Sequence, residues 1–321
     1  MNTAAEIAKK LKYGWMVMHG MKMKLYHDMS PSKRPSAVAL GAFDGLHIGH
    51  SRVIGSARSE GLLSSVFTFQ DDLIREGKRA PRLLSQRRKM QLLEKMGVEQ
   101  CWVAAFSEIR DMGAEEFMEK ILKGVCRAKV VCCGRDFHFG KGGRGTSALL
   151  EAFCRENGIQ ARVAEPVLLG GCPVSSTRIR EEAAKGRMEE AAALLGRPFC
   201  FDTPVVHGRQ LGRTLGVPTI NQPIPADFVL PRFGVYASVV QVDGKSYYGV
   251  TNVGVKPTVG ADAPLSETWM PDYRGPELYG ETVVTELISF VRPEQKFGSI
   301  RELQENIFKD RISAKKIIYK L

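Results

Sequence analysis

Between residue 36 and about residue 195 short apolar runs alternate with amphipathic stretches. "SAVALGAF" (36–43), "LLSSVFTF" (62–69), "EQCWVAAF" (99–106), "AKVVCCG" (128–134) and "IQARVAE" (159–165) have the length and composition of strands. The segments 48–60, 85–97, 114–124 and 146–158 repeat their apolar positions at helical spacing. Thr146 stands where the last of these needs a cap, and Gly158 where it needs a stop. Alternation of this kind predicts a doubly wound parallel sheet, in which ligands sit beyond the carboxyl ends of strands.

The pattern changes after "REEAAKGRMEEAAALLGRPF" (180–199). "FGVYASVVQV", "SYYGVTNVGV" and "ETVVTELISFV" read as strands, with Asp243-Gly244 as a hairpin turn between the first two. Gly and Pro are dense from 204 to 234. These features predict an all-β barrel or sandwich, with a Greek-key-like β-barrel as the expected form. The closing segment reads as a helix opened by a capping box of Ser299 and Glu302. The boundary falls near 187, giving domains of 1–187 and 188–321.

Composition narrows the class. Hydrophobic residues at 44% and charged residues at 25% are ordinary for a globular protein. No apolar run is long enough to span a bilayer, and the N-terminus interleaves charge with apolar residues, unlike a signal peptide. Seven cysteines without a C-x-x-C pair argue against a zinc site or a disulfide framework. A cytoplasmic protein is expected. The net charge of +11 invites a nucleic-acid reading, but the densest patch, "KRAPRLLSQRRK" (78–89), lacks an aromatic on which bases could stack. That run reads as a solvated basic face, and anionic small molecules suit the charge equally well.

"LGAFDGLHIGH" puts Gly41, Gly45 and Gly49 at a strand's carboxyl end, leading into a helix. Glycine there lets backbone approach a phosphate, and a helix N-terminus offers N–H groups to it. His47 and His50 are three residues apart and suited to donate to phosphate oxygens. Turning the chain and carrying surface polars would explain the same residues. "SSTRIR" (175–180) taken alone is a capped helix with a charged face. "GRTLGVPTIN" is not a Walker A loop; its Thr219 and Asn221 are hard oxygen donors that suit Mg²⁺, or else the polar turn of a Gly/Pro loop.

"GAFDGLHIGH" resembles the H-x-G-H motif of the nucleotidyltransferases in its flavin form, G-x-F-D-G-x-H-x-G-H. With "GRDFHFGKG", "SSTRIR", "LLGRPF", "HGRQLGRTLGVPTIN", "LPRFGVYA", "TNVGVKPTVG", "ELYG" and "VRPEQKF" following in order, nearly the whole chain resembles the prokaryotic bifunctional riboflavin kinase/FAD synthetase family. The resemblance implies two ATP-dependent reactions. Riboflavin is phosphorylated to FMN in the barrel, and FMN is adenylylated to FAD in the N-terminal domain with release of pyrophosphate. It implies ATP contacts at His47, His50, Gly41, Phe43, Asp44, Gly45 and Gly49, and phosphate clamps at Ser176, Thr177, Arg178 and Arg180. In the barrel it implies nucleotide contacts at Gly208, Gly212, Arg213, Gly216 and Pro218, and Mg²⁺ at Thr219 and Asn221. Glu267 corresponds to the catalytic glutamate, and Asp136, Phe137 and Arg292 to flavin contacts. Its partners are riboflavin, FMN and ATP, with no nucleic acid or membrane.

Two departures are visible. The family's Pro-His-Pro turn after the second strand, which helps place the flavin phosphate, is replaced by Gln70, Asp71 and Asp72. This raises the alternative of a riboflavin kinase with a silent nucleotidyltransferase domain. Ile220 replaces an alanine, which is tolerable if its side chain enters the barrel. A non-catalytic flavin- or RNA-binding descendant is opposed by the intact His47, His50, Thr219, Asn221 and Glu267. "GKGGRG" (140–145) followed by Glu165 imitates a dinucleotide fingerprint, but "GRDFHF" separates it from the strand it should follow directly.

Overall fold

The computed structural model describes residues 23–70, 74–75, 78–208, 212, 215–258 and 261–320. Their contacts form two compact units, and among the described residues Pro81–Ser85 and Ser176 onward make the second.

The first unit is built on six parallel strands: β1 (Lys24–Tyr26), β2 (Ser36–Leu40), β3 (Leu63–Phe69), β4 (Gln100–Ala104), β5 (Ala128–Gly134) and β6 (Gln160–Ala164). Their order is β1-β4-β3-β2-β5-β6. The chain therefore winds one way from β2 through β3 to β4 and the other way through β5 to β6. Its switch point lies between β2 and β5, where this topology leaves a crevice for a ligand. Strands β2 and β4 are buried along their whole length, as strands covered on both faces must be. Helix α1 (Ile48–Ser56) follows β2, and α2 (Gln86–Lys95) precedes β4. The π-helical α3 (Phe117–Val125) precedes β5, and α4 (Ser147–Glu156) precedes β6. Thr146 caps α4, its hydroxyl accepting from the Leu149 N–H at 3.2 Å. The core joins Phe67, Trp102, Phe117, Leu122 and Leu150.

In the second unit, helices α5 (Ser176–Ala184) and α6 (Met188–Leu195) precede a six-stranded antiparallel sheet. Its strands are β7 (Phe199–Phe201), β8 (Thr219–Pro223), β9 (Gly234–Val242), β10 (Lys245–Thr258), β11 (Ala261–Trp269) and β12 (Val284–Arg292). The order β7-β12-β9-β10-β11-β8 lays β8 beside β11 in a Greek key. The chain after β7 bridges the two edges, pairing Pro204 with Thr282 and Val206 with Asn221. That curls the sheet around the cluster of Val205, Val240, Val242, Met270, Leu278 and Val283, against which Ile220 packs. Asp243 and Gly244 both have positive φ (48° and 74°) in the hairpin between β9 and β10, as a type I′ turn requires. Helix α7 (Ile300–Ile318) closes the unit, capped by the Ser299 hydroxyl accepting from the Glu302 N–H at 3.1 Å.

Part of the basic run 78–89 is turned inward, although Arg87 is exposed. Arg88 and Lys89 are buried, and Arg82 pairs with Asp227 at 2.6 Å while lying over the Phe228 ring. A count of charges along the chain does not show which of them an amphipathic helix turns inward.

Candidate functional site

The switch point of the first unit is occupied by the glycine-histidine turn. Gly41 leaves β2 with its N–H donating to the Phe67 carbonyl oxygen at 3.3 Å. The chain then reverses through Phe43 (φ 51°), Gly45 (φ 80°) and Leu46 (φ 43°). Left-handed backbone at a non-glycine residue costs about 1–2 kcal/mol. Here two such residues are buried in one turn, Phe43 at 2% and Leu46 at 3% exposure, so surrounding packing must hold them there.

His47 is the N-cap of α1, and its Nδ1 accepts from the His50 N–H at 3.2 Å. An Nδ1 that accepts leaves the proton of a neutral imidazole on Nε2, which is then a donor. The two imidazole rings stack with centroids 3.5 Å apart and 15° between planes. Phe43 meets His50 edge-on at 5.3 Å. A side chain at Gly41 would press on the Phe43 ring at 3.0 Å, and one at Gly49 on the His47 ring at 3.1 Å. The glycines thus leave room for the rings as well as turning the chain. Asp44 lies half-buried within the same turn.

Beyond β5, on the other side of the switch, follow Arg135, Asp136 and Phe137. Asp136 is exposed, and its carboxylate sits over the Gly134 Cα, 2.9 Å from where a Cβ would stand. Phe137 stacks on Phe139 at 5.6 Å. Arg135 pairs with Glu165 at 2.7 Å, which accounts for the acid of the apparent dinucleotide fingerprint. Its glycines form the tip of a hairpin between His138–Phe139 and Gly145–Thr146. Burial pushes the Cys133 thiol of β5 up to about 12 and that of Cys154 up to about 11, so both stay neutral thiols beneath the site. After β3, Gln70 is exposed and its N–H donates to the Ala104 carbonyl oxygen at 2.9 Å. Asp71 and Asp72 lie outside the described residues.

Sequence reasoning missed Lys89. It is 7% exposed, with Nζ 2.6 Å from the Ala42 carbonyl oxygen and 2.7 Å from Thr68 Oγ1. The signal was available: Lys89 shares one helix face with Leu92 and Leu93, three and four positions on.

Ser176, Thr177, Arg178 and Arg180 open α5 in the second unit. Thr177 is exposed, and the Arg180 Nε donates to the Pro81 carbonyl oxygen at 2.7 Å.

A second cluster lies on the antiparallel sheet. In register, Asn221 of β8 faces Glu267 of β11, and Glu267 faces Asn252 of β10. Directly opposite residues share a face, so these three form a polar row. Thr219, two residues from Asn221, stands opposite Trp269 on the same face. Asn221 is 5% exposed, and its Oδ1 is buried without a hydrogen-bond partner among the described residues. Gly208 lies against that amide, where a Cβ would fall 2.5 Å from Nδ2. A side chain at Gly212 would fall 2.4 Å from the Val217 carbonyl oxygen, with Thr219 Oγ1 3.6 Å away. Gly216 has φ 71° at the turn before the exposed Pro218. An orphaned amide oxygen beside a hydroxyl, under backbone that excludes side chains, fits a hard cation with its phosphates. Arg213 lies outside the described residues.

Asn252 was also missed; its Nδ2 donates to Glu294 Oε1 at 3.1 Å. Arg292 ends β12. Its guanidinium takes Asp310 of α7 through both oxygens, at 2.9 and 2.7 Å.

The FAD synthetase family model matches residues 29–178, and the riboflavin kinase model residues 195–318. The bifunctional riboflavin kinase/FMN adenylyltransferase of Bacillus subtilis is 32% identical over 90% of this chain and 94% of its own. That of Escherichia coli K12 is 33% identical over 90% and 95%. A crystal structure described as a macrolide-efflux protein from Streptococcus pneumoniae matches with a TM-score of 0.81 and 27% identity, covering 91% of this chain and 98% of that one. Among the described residues no helix is long and apolar enough to cross a membrane.

Proposed function

The chain belongs to the family of bifunctional riboflavin kinase/FMN adenylyltransferases, and from that premise we propose which of its residues carry the two reactions. The enzyme phosphorylates riboflavin to FMN with ATP and joins FMN to AMP from a second ATP, giving FAD and pyrophosphate. The observation that carries this is the presence of both family domains, in order, on one chain.

In our reading Glu267 orients the riboflavin 5′-hydroxyl and accepts its proton as oxygen attacks the γ-phosphate. Thr219 and Asn221 would hold Mg²⁺ with ATP, and the ion would neutralise charge on the phosphates. The orphaned Asn221 Oδ1 supports that assignment. Gly208, Gly212 and Gly216 admit the nucleotide close to backbone. In the first unit, His47 and His50 donate to the ATP phosphates, and the Gly41–Gly49 turn presents the N-terminus of α1 to them. Asp136 and Phe137, across the switch point, face the flavin of FMN. Seven free cysteines, six of them buried, support a reducing cytoplasmic setting.

The test is incubation of the full chain with riboflavin, ATP and Mg²⁺, resolving flavins by chromatography. FMN followed by FAD is expected. Neither product would identify a binding protein.

A further inference from the structure

Lys89 brings a charged group to a place where packing alone would call for leucine. Burying an ammonium is unfavourable unless its donors are met, and what meets this one is specific. Nζ reaches the Ala42 carbonyl oxygen (2.6 Å), Thr68 Oγ1 (2.7 Å) and the Phe69 carbonyl oxygen (3.4 Å). The Thr68 hydroxyl accepts from Nζ and itself donates to the Ala42 carbonyl oxygen at 3.0 Å. Ala42 opens the turn after β2, and Thr68 and Phe69 end β3. One ammonium therefore ties together the carboxyl ends of two adjacent strands, β2 at the switch point and its neighbour β3.

The geometry fixes a direction. In a planar trans peptide the C=O and the following N–H point opposite ways. With the Ala42 carbonyl drawn inward to Nζ and Thr68, the Phe43 N–H is turned away from them, at the residue whose φ of 51° starts the reversal toward His47. We propose that Lys89 is a positioning residue for adenylyl transfer: it holds the Ala42 peptide so that the Phe43 amide and the histidine turn meet the ATP phosphates. This rests on the reading of the His47–His50 turn as the ATP site. In this role Lys89 acts through the backbone it holds.

The experiment compares wild type and Lys89→Ala as full chains, measuring pyrophosphate release from ATP and FMN. Riboflavin phosphorylation by the same preparation serves as the control for folding. Misplacing a reacting geometry by about 1 Å costs on the order of a hundredfold, so kcat for pyrophosphate release should fall about that much while riboflavin phosphorylation is unchanged. Added n-propylammonium, which replaces the missing chain and its charge, should restore most of the rate, whereas n-propanol of similar shape should not. Equal rescue by both would make Lys89 a packing residue and overturn the proposal. So would an unaffected Lys89→Ala enzyme. Thr68→Val keeps side-chain shape and removes one acceptor of Nζ; it decides the matter if Lys89→Ala does not fold, and a wild-type rate in it overturns the proposal. A wild-type chain that releases no pyrophosphate defeats the ATP-site reading itself, and the inference with it.

Discussion

Asn221 places an amide oxygen where nothing in the described protein satisfies it. A buried acceptor left unmet costs about 1–3 kcal/mol, a cost that a bound cation would remove. Asn221→Ala should therefore raise the Mg²⁺ needed for riboflavin phosphorylation by about tenfold or more, with adenylyl transfer unchanged; a Mg²⁺ titration of both reactions checks it. At the end of β3 the family's Pro-His-Pro turn is replaced. Gln70 offers no imidazole and no proline stiffness, so the first unit should turn over with weak FMN affinity. Positioning by one turn residue is worth on the order of a hundredfold. Writing Pro-His-Pro across Gln70, Asp71 and Asp72 should lower the FMN concentration for half-maximal pyrophosphate release, and an unchanged curve would remove that turn from the account. The turn that carries the histidines was legible in the sequence because glycines between a strand and a helix mark a sharp reversal. Lys89 was not, since its run of cations reads as solvent-facing until the helix assigns it an inward face.

Elements position these residues, and their pairing explains what periodicity could and could not show. Strands β2–β6 of the first unit, unlike the three-residue and mostly exposed β1, announce themselves as apolar runs. Strand β11 does not: "ADAPLSETW" contains proline and polar residues and lacks alternation. It is a strand because β8 and β10 pair with it on both sides, a long-range fact that a local window does not hold. The catalytic candidate Glu267 thus sat in a stretch with no predicted element. Arg292 holds another long-range contact: its bidentate bond to Asp310 fastens β12 to α7, with 18% and 7% of the two side chains exposed. Removing one partner of a largely buried pair costs about 3–5 kcal/mol. Asp310→Ala should lower stability by about 3 kcal/mol, the lower end of that range because Arg292 keeps some solvent. Urea unfolding followed through Trp269, which packs on Phe308 of α7, measures it. A change below about 0.5 kcal/mol, the scale of an ordinary surface substitution, would show the latch to be idle.

Across the whole molecule, both family domains stand in order on one chain. The fold class of both units was readable because their hydrophobic periods differ, one alternating strand with helix and the other strand with turn. Where the units meet in sequence was harder to read: α5 continues the helical pattern of the first half yet packs with α6 in the second unit. The claim that matters most is that one chain performs both reactions at separate sites. The direct measurement follows FMN and FAD with time from riboflavin, ATP and Mg²⁺ for wild type, Glu267→Gln and His50→Ala. Wild type should pass through FMN to FAD. Glu267→Gln should lose FMN formation by about two to four orders of magnitude, the range of a general base, yet convert supplied FMN to FAD. His50→Ala should accumulate FMN and stop there, losing about two to three orders of magnitude in pyrophosphate release with its phosphate donor. Wild type halting at FMN with no pyrophosphate, or either substitution abolishing both reactions in folded protein, would contradict the account.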